Sequence, residues 1–312
     1  MDAYDTAIIP TEFGLNNTGV ICYFNSFLQA LAGCTAFTKA VLANAEYLKQ
    51  TRTGSAVLTF VRMYTQLMDV SGASANILHA LVSDLSVRRP HVRFGNNQES
   101  ASEALVHLLD MMEPPTQSES PITRLFLHRF RCDLYCRTCK KIVSKKTDHA
   151  VNFNLFHLDR LKVQPTTAEE FSKAIRTQIS TTEDYKCENC ATAATGTTGA
   201  AFRVYNLTMI PEIIFCMFNL YVGYGGVRRA RYFPEMLEFP ALDGGKLLFL
   251  LVGQVEHMGS LTGGHYWARG LRRDGVYLTN DTSVTKSSFA STPNTYIVVY
   301  HYASSIPKKD DV

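Results

Sequence analysis

Two Cys-x-x-Cys pairs restrict the folds open to this chain more than any other feature of its sequence. The pairs are Cys136-Arg-Thr-Cys139 and Cys187-Glu-Asn-Cys190. Each pair can present two thiolates on one tight turn, and two such turns complete the tetrahedral shell of a structural zinc ion. We therefore expect the fold to bring the two pairs together around one structural zinc ion. The alternatives are a ligand set in which the nearby Cys132, His128 or His149 replaces one of the four cysteines, four unrelated reduced cysteines, and disulfides.

The sequence also bears on the compartment of the protein and on its partners. It opens without the apolar stretch of a signal peptide, so we expect an intracellular protein, cytoplasmic or nuclear, whose thiols stay reduced. No apolar run reaches the roughly 18 residues of a membrane helix, and we expect no membrane contact. The net charge is +3 and no groove-reading motif accompanies the basic clusters, so we expect no nucleic acid partner.

Hydrophobic patterning divides the chain into an early helical half and a later half of strands. Apolar residues recur at helical spacing between residues 22 and 115, most clearly at 56–68 and 103–112. A connector rich in helix-breaking residues follows at 113–121, and strand patterns, among them 150–158, dominate the rest. Hydrophobic residues make up 46% of the chain, which is enough for a sizeable core. The pattern predicts the α+β class.

A separate cysteine, Cys22, has the setting of a reactive thiol. Turn-forming residues precede it at 17–19 and apolar residues follow it at helical spacing, so we expect Cys22 in the first turn of a helix. There the helix dipole and the unpaired N–H groups lower a thiol pKa and can hold an oxyanion. The side chain of Asn17 could add a further N–H donor. The alternative is a buried structural cysteine.

His265 is placed to act as the base for such a thiol. It follows two glycines, at the start of a predicted strand that comes after the buried strand 246–255. The next predicted strand begins at 276–278 and ends near Asn280 and Asp281, and antiparallel pairing would return these two residues to His265. Either side chain could accept the imidazole N–H and fix the tautomer. The alternatives are a structural histidine and an ordinary Asn-Asp turn.

These segments resemble the boxes of the ubiquitin-specific protease family, a family of papain-like cysteine deubiquitinases. Residues 14–29 (GLNNTGVICYFNSFLQ) resemble its cysteine box, and residues 263–268 (GGHYWA) with 279–281 (TND) resemble its histidine box. The chain also resembles other elements of the family, in the same order, at residues 94–105, 207–215, 232–239 and 255–259. The resemblance therefore extends over nearly the whole chain.

The resemblance implies a role for each matching residue. Cys22 would be the nucleophile and His265 the general base. Asn280 would orient His265, with Asp281 beside it as partner or substitute, and Asn17 would complete the oxyanion hole. Further residues match positions in or near the channel that receives the tail of the substrate: Gln98, Glu103, His257, Gly264 and Tyr266.

The chain also departs from the family pattern. Ser100 stands where the family usually has an aspartate, and we expect the neighbouring Glu99 to supply the acid that contacts the arginines of the ubiquitin tail. Val20 and Ile21 precede Cys22, where the family usually has small or polar residues. Neither change removes a catalytic group.

The resemblance further implies the architecture and the activity. One catalytic domain, residues 1–312, would divide into a helical thumb at about 1–125, zinc-ribbon fingers at about 126–205 and a β-sheet palm at about 206–312. The chain would be a monomeric thiol protease that releases ubiquitin from ubiquitinated proteins by cleavage after its C-terminal glycine. The alternatives are a weak or inactive ubiquitin-binding protein, an enzyme for another ubiquitin-like modifier, and a zinc-ribbon interaction protein.

Overall fold

The computed structural model describes most of the chain in nine segments. They are residues 9–66, 70–88, 99–112, 120–151, 155–158, 164–190, 199–220, 228–260 and 263–307. Within these segments, six α-helices and a short 3-10 helix (Thr123–Phe126) precede the first strand, and a seventh α-helix lies between strands. The helices are α1 (Cys22–Leu31), α2 (Thr35–Ala43), α3 (Ala45–Leu48), α4 (Arg52–Thr65), α5 (Val70–Arg88), α6 (Ala101–Met111) and α7 (Ala168–Arg176).

The strands in the described segments form two sheets of different size. The strands are β1 (His128–Cys136), β2 (Ile142–Val151), β3 (Leu155–His157), β4 (Thr177–Tyr185), β5 (Gly199–Met209), β6 (Ile213–Met217), β7 (Met236–Pro240), β8 (Lys246–Gly259), β9 (Gly264–Arg272), β10 (Gly275–Asn280), β11 (Ser283–Ser287) and β12 (Thr295–Ile306).

The larger sheet carries the candidate catalytic histidine. Its strand order is β11-β10-β9-β8-β12-β6-β3, and β7 pairs with β8. Only β3, beside β6, pairs in parallel; the other described pairs are antiparallel. The smaller sheet has the order β2-β1-β5-β4 and is antiparallel throughout.

Helix α1 packs closely on the larger sheet. All of its residues are buried, and it lies against β8 and β9. Glycines on both strands allow this approach, because a Cβ on Gly253 would lie 2.6 Å from the carbonyl oxygen of Ala30, and one on Gly270 2.8 Å from that of Gln29. The helix that begins with Cys22 is therefore fixed on the strand that carries His265.

A buried arginine adds a polar tie between the same two elements. The side chain of Arg272, on β9, is 1% exposed. Its Nη2 donates a hydrogen bond to the main-chain oxygen of Gln29 at 3.1 Å and a second one to the side-chain Oε1 of the same residue. Its guanidinium also lies 5.0 Å from the ring centre of Phe13, a cation–π distance. The segment before the cysteine, α1 and β9 therefore meet at one buried charge.

Two hydrophobic cores lie on the larger sheet. The first joins α1, α2, α4, α5 and α6 to the sheet through residues such as Phe24, Phe27 and Val252. The second gathers α7 and strand residues that include Phe171, Phe218 and Tyr300. Burial of large apolar side chains on this scale is the main favourable term in folding, and it makes the sheet the rigid support of the site.

The observed elements confirm the α+β class, and they correct three sequence predictions in detail. The helix expected at 56–68 begins at Arg52, where Thr51 caps it by accepting a hydrogen bond from the N–H of Gly54 at 3.1 Å. The single strand expected at 150–158 is divided between β2 and β3, which belong to different sheets. The strand expected at 246–255 continues to Gly259. Most of the connector 113–121 lies outside the described residues.

None of the described helices is long and apolar enough to cross a membrane by itself. Only α1 and α2 taken together, bent by 92° relative to each other, meet a criterion of length and composition.

Candidate active site and metal centre

Cys22 is the first residue of α1, as the sequence predicted. Ile21 occupies the N-cap position without a side-chain cap, so the first N–H groups of the helix are not taken by a capping side chain. Backbone hydrogen bonds from Tyr266, Tyr23 and Cys22 itself reach the thiol. Because Tyr266 directly follows His265, the cysteine and the histidine strand meet at this point.

Burial reverses the expected shift in the pKa of Cys22. The helix start predicted a lowered pKa, yet burial of the thiol raises it, and the carboxylate of Asp281 adds to the increase. The backbone hydrogen bonds from Tyr266 and Tyr23 act in the opposite direction but are outweighed. The residue is 2% exposed. A thiol in this environment needs a base to remove its proton.

His265 and Asn280 form the base and its orienting partner. His265 is the second residue of β9 and Asn280 the last of β10. The imidazole Nε2 and the amide Oδ1 of Asn280 are 2.6 Å apart. Because a carbonyl oxygen only accepts hydrogen bonds, Nε2 carries the proton and Nδ1 is the nitrogen able to receive one. The antiparallel pairing expected from the sequence produces this contact.

Asp281 holds the segment around the cysteine rather than the histidine. It has φ of 51°, in the left-handed region that aspartate tolerates in turns. Its Oδ2 accepts a hydrogen bond from Nδ2 of Asn17 at 3.0 Å, and its Oδ1 accepts one from Nδ2 of Asn25 at 2.9 Å. Its main-chain oxygen accepts the N–H of Leu15 at 2.9 Å. Asp281 therefore joins the turn after β10 to the loop before α1.

The side chain of Asn17 is held from both ends. Besides its bond to Asp281, its Oδ1 accepts the N–H groups of Gly19 at 3.2 Å and Ile21 at 3.3 Å. An amide nitrogen carries two hydrogens, so one N–H remains for an oxyanion beside Cys22. The oxyanion role of Asn17 stays a prediction.

The predicted channel residues of β8 and β9 lie together beside His265. His257 and Tyr266 are cross-strand neighbours with ring centres 4.2 Å apart. A Cβ on Gly264 would collide with Nε2 of His257 and with the carbonyl oxygen of Met258. Burial, with smaller effects of Arg228 and His265, lowers the pKa of His257 to about 4. His257 is therefore neutral at physiological pH.

The channel residues near α6 are placed only in part. Glu99 precedes α6 and is half-buried, while Glu103 in its first turn is exposed and lies 3.8 Å from Nε2 of His107. Gln98 lies outside the described residues. The hydroxyl of Ser100 is 3.0 Å from that of Tyr296, whose ring lies 6.0 Å from Tyr266, so the start of α6 reaches the same cluster.

The four cysteines of the two Cys-x-x-Cys pairs lie together at the end of the smaller sheet. Their sulfur atoms are all within 4.8 Å of one another; Cys136 and Cys190 are 3.6 Å apart, and Cys139 and Cys187 are 3.9 Å apart. Bonds of about 2.3 Å around a tetrahedral ion place sulfur atoms roughly 3.8 Å apart. The cluster therefore fits one metal ion of that size.

The local backbone explains how each pair closes. Cys136 ends β1, and its carbonyl oxygen accepts the N–H of Lys140 at 2.9 Å, where a φ of 57° turns the chain. In the second pair, the N–H of Cys190 donates to the oxygen of Cys187 at 3.1 Å. Backbone hydrogen bonds from Cys139 and Thr138 help lower the pKa of Cys136 to about 6, which favours the thiolate that a metal binds.

Several polar residues at the site were missed by reasoning from the sequence. Asn25 and Gln29 are buried polar residues one turn apart on α1, a signal that was available, since polar groups inside a buried helix need partners. Arg228 donates through Nη1 to the oxygen of His257 at 2.8 Å and through Nη2 to that of Gly259. It therefore supports the turn that leads to His265, and nothing local in the sequence signals this contact.

Comparison with known proteins identifies relatives along most of the chain. The family model "Ubiquitin carboxyl-terminal hydrolase" matches residues 13–300. Ubiquitin carboxyl-terminal hydrolase 36 of Drosophila erecta is 25% identical over 92% of this chain and 28% of its own length. Ubiquitin carboxyl-terminal hydrolase 17-like protein C of Mus musculus is 24% identical over 92% of this chain and 54% of its own. The chain thus spans about a quarter to a half of these relatives.

Solved structures agree with this assignment at the level of the fold. The SAGA DUB module of Ubp8, Sgf11, Sus1 and Sgf73 bound to monoubiquitin matches with a TM-score of 0.72 and 16% identity, over 97% of this chain and 72% of that one. The same module bound to ubiquitin aldehyde gives 0.70 and 17%, over 96% and 71%. With the family model matched from residue 13 to residue 300, the chain belongs to the ubiquitin carboxyl-terminal hydrolase family, as its cysteine and histidine boxes predicted.

Proposed function

We propose that this chain is a thiol-dependent deubiquitinase that hydrolyses the isopeptide or peptide bond after the C-terminal glycine of ubiquitin. The observation that carries the proposal is the junction of α1 and β9, where a backbone hydrogen bond from Tyr266 reaches the thiol of Cys22. The adjacent residue, His265, is held by Asn280 at 2.6 Å. A nucleophile, a base and the group that orients the base therefore meet in one place.

The reaction follows from these groups. Nδ1 of His265 takes the thiol proton, and the sulfur of Cys22 attacks the glycine carbonyl carbon, whose π electrons move to oxygen. The N–H of Cys22 and the second N–H of Asn17 stabilise that oxyanion. When the C–N bond breaks, His265 returns the proton to the leaving amine and a thioester remains. Water, deprotonated by His265, then cleaves the thioester, and the free thiol and the ubiquitin carboxylate are released.

Asn280 and Asp281 have different parts in this scheme. Asn280 keeps the proton of His265 on Nε2, so that Nδ1 is available at each step. Asp281 accepts hydrogen bonds from Asn17 and Asn25 and so keeps the oxyanion donor in place. We therefore assign Asn280 to the base and Asp281 to the oxyanion hole.

We further propose zinc as the ion of the four-cysteine cluster. Four thiolates in a tetrahedral arrangement favour zinc among the common intracellular metals, and the sulfur separations of 3.6 and 3.9 Å fit its bond length. A closed shell of four protein ligands leaves no position for substrate, so the ion would be structural. It would join the end of β1 to the segment after β4.

The sequence also supports proposals about the partners, the oligomeric state, the location and the domain division of the protein. We propose ubiquitin and ubiquitinated proteins as partners, a monomeric chain without nucleic acid or membrane contact, and an intracellular location, cytoplasmic or nuclear. We also retain the division into thumb, fingers and palm within one catalytic domain. The separation of the helices before β1, the smaller sheet and the larger sheet supports this division, although β3, at residues 155–157, pairs with β6 of the larger sheet.

A ubiquitin that carries a cysteine-reactive group at its C-terminus tests the proposal. The protein as purified should form a covalent adduct at Cys22. Cys34 offers a matched control, because it is also a buried thiol at the start of a helix, the N-cap of α2. We expect the adduct with the Cys34→Ala variant and no adduct with the Cys22→Ala variant.

The same probe separates the alternatives. Tight ubiquitin binding without an adduct would favour an inactive ubiquitin-binding protein. A different result is also informative: the protein neither binds ubiquitin nor forms an adduct with it, but forms an adduct with another modifier that carries the same group. This result would indicate an enzyme for that modifier. An adduct that persists in Cys22→Ala would contradict the assignment of the nucleophile.

A further inference from the structure

The exposed hydrogen bond between His265 and Asn280 has an aromatic neighbour that the proposed mechanism does not use. His265 and Trp267 alternate along β9 onto the same face of the sheet. Their ring centres are 6.2 Å apart and their planes differ by 28°, a stacked arrangement. The His265–Asn280 bond itself is open to solvent, and one hydrogen bond leaves the imidazole free to rock about the bond axis.

The register of the sheet places Trp267 between two functional neighbours. On one side it pairs directly with Glu256 of β8. On the other side the β9–β10 pairing ends at Ala268 and Thr279, and continuing that register by one residue would bring Trp267 opposite Asn280. The indole therefore borders both members of the base pair, the imidazole along its own strand and the amide across it.

A buried carboxylate fixes the indole. Glu256 is 1% exposed. Its Oε2 accepts the indole N–H of Trp267 at 2.8 Å and Nε of Arg269 at 2.9 Å, and its Oε1 accepts the hydroxyl of Thr292 at 2.6 Å. Both carboxylate oxygens are thus used, and charge-assisted hydrogen bonds of this kind are strong and directional.

Arg269 extends this network to the next strand. Its Nη1 donates to Oγ of Ser287, at the end of β11, at 2.6 Å and to the main-chain oxygen of Ser288 at 2.9 Å. The guanidinium is thus held at both ends and pairs with Glu256 at 2.9 Å in a largely buried position. The carboxylate that orients the indole is therefore itself held in one place.

We propose that Trp267 is a positioning residue of the active site, whose indole, oriented by Glu256, holds the imidazole of His265 in the plane in which it meets Asn280. The inference rests on the proposed function for its consequence in catalysis, but the contact itself does not. Misplacing a catalytic group by about 1 Å costs roughly 100-fold in rate. A fixed indole beside the base can therefore have a large effect on the reaction rate. The sequence run His-Tyr-Trp contains this platform, two residues after the base.

The single tryptophan of the chain makes the contact measurable without any substrate. Trp267 is the only tryptophan, so emission excited selectively from tryptophan reports on the surroundings of this ring alone. In the Cys22→Ala background, the further substitution His265→Ala removes the stacked imidazole. We expect the tryptophan emission to change and acrylamide to quench it more strongly. Equal emission and equal quenching in the two proteins would overturn the inference.

Measurement at pH 7.5 keeps the state of the other charged groups near the ring constant. They are Glu256, which accepts the indole N–H, Arg269, which pairs with Glu256, Asp281 after Asn280, and His257 on β8. Burial lowers the pKa of His257 to about 4, so it is neutral at this pH. A change of emission on substitution of His265 therefore reports the contact of its ring with the indole.

Kinetics test the consequence for catalysis. With a fluorogenic ubiquitin substrate, Trp267→Ala should lower kcat roughly 10- to 100-fold and leave KM nearly unchanged, and it should displace the acid limb of the pH profile of kcat/KM. Trp267→Phe, which keeps a ring, should lower kcat less than Trp267→Ala does. Glu256→Gln should lower kcat more than Glu238→Gln. Glu238 is a matched control, because its carboxylate is paired with Lys246 at the surface.

The outcomes separate the inference from the function on which it rests. Unchanged kcat in Trp267→Ala, or a parallel loss in kcat and KM with the same pH profile, would reduce Trp267 to a structural residue and overturn the inference. If the wild-type chain processes no modifier, the proposed function fails. The fluorescence comparison, together with the pH dependence of Cys22 alkylation in Trp267→Ala, then decides the inference on its own.

Discussion

The candidate active site around Cys22 and His265, hereafter the cleft, and the four-cysteine cluster both depend on cysteines placed at turns, but they are held together differently. The cleft is held together by hydrogen bonds between protein groups that are distant in the sequence, such as the bonds of Asn17 and Asn25 to Asp281. In the cluster, four thiols face one another within 4.8 Å. The cleft is therefore held by hydrogen bonds between protein groups, whereas in the cluster the proposed ion would be the group that joins the two cysteine pairs.

The thiols of the two regions also have opposite pKa shifts. Burial raises the pKa of Cys22, while backbone hydrogen bonds lower that of Cys136 to about 6. Both residues are 2% exposed, so exposure does not separate them. Hydrogen bonds from Cys139, Thr138 and the other thiols outweigh burial at Cys136, whereas burial outweighs the hydrogen bonds at Cys22. A buried nucleophile instead depends on its base, and this dependence explains why His265 has to be held so firmly.

Removal of the metal should have the largest effect, and it should be confined to one region. We expect chelation, or the Cys136→Ser variant, to lower the melting temperature markedly, because structural zinc contributes on the order of 10 kcal/mol of binding free energy to folding. Hydrogen exchange should rise in β1 and β5 and stay slow in β8 and β9. Iodoacetamide should still alkylate Cys22.

Matched measurements decide whether the two regions are independent. The Cys132→Ser variant, which changes a cysteine of β1 outside the cluster, is the control for Cys136→Ser. Purified protein that contains no metal and melts at the same temperature in both variants would contradict the zinc assignment. Equal exchange in both sheets would show instead that the cleft also depends on the ion.

Loss of Asp281 should be the next largest effect and should appear in the cleft. The Asp281→Ala variant removes the acceptor that holds Asn17 and Asn25. We expect kcat/KM for a ubiquitin substrate to fall by 10²- to 10³-fold, which corresponds to about 3–4 kcal/mol and is typical of a lost oxyanion donor. Metal content should be unchanged.

Asp274 provides the matched control for this prediction. It lies in the turn between β9 and β10, where its Oδ2 accepts the hydroxyl of Tyr277 at 2.9 Å and pairs with Lys286 at 3.5 Å. The Asp274→Ala variant changes a turn carboxylate of the same sheet without touching the cysteine loop. Similar activity of both variants would remove the special role of Asp281.

Acid should weaken the core behind the cleft through His301. Burial, with a smaller effect of Lys39, lowers the pKa of His301 to about 4, and its Nε2 accepts the N–H of Ala36 at 3.3 Å. The unfolded chain, with a histidine pKa near 6.5, binds the proton more readily, so stability is lost as the pH falls from about 6.5 toward 4. At pH 5 the loss is about 2 kcal/mol.

Denaturant unfolding at pH 7.5 and pH 5 measures this effect. The His301→Gln variant keeps a hydrogen-bond acceptor but cannot be protonated in this range. The wild-type protein should lose about 2 kcal/mol more than the variant between the two pH values. An equal loss in both proteins would place the acid sensitivity elsewhere, for example in the cysteine cluster.

The sequence predicted the chemical groups of both regions better than it predicted the contacts that hold those groups in place. Cys22, His265 and Asn280 were predictable because each lies in a short motif with a local structure, a helix start or a strand end. The cysteine pairs were predictable because metal ligands repeat at fixed spacing. Asp281 was recognised as a neighbour of Asn280, but its bonds to Asn17 and Asn25 span more than 250 residues.

The contacts that were missed share one physical property. The Arg228 contacts with the oxygens of His257 and Gly259, the Arg272 bond to Gln29 and the Glu256 bond to Trp267 all join separate elements through polar side chains. Periodicity reveals which residues face a core, but not which polar residue will meet which. The prediction of a lowered pKa for Cys22 was wrong for a related reason. The burial that raises this pKa depends on packing between α1 and the sheet.

The smallest predicted effect concerns the helix that touches both sheets. Helix α7 contacts β4 and β5 of the smaller sheet and β7 of the larger one. Its N-cap Thr167 accepts the N–H of Glu170 at 3.2 Å, and Oε2 of Glu170 accepts the N–H of Thr166 at 2.8 Å. Thr167→Ala should cost about 1 kcal/mol of unfolding free energy, measured by denaturant titration. Because the cap touches neither the thiol of Cys22 nor the cysteine cluster, alkylation and metal content should stay constant. A change in either one would mean that α7 couples the two regions, and that the cleft and the cluster are not independent after all.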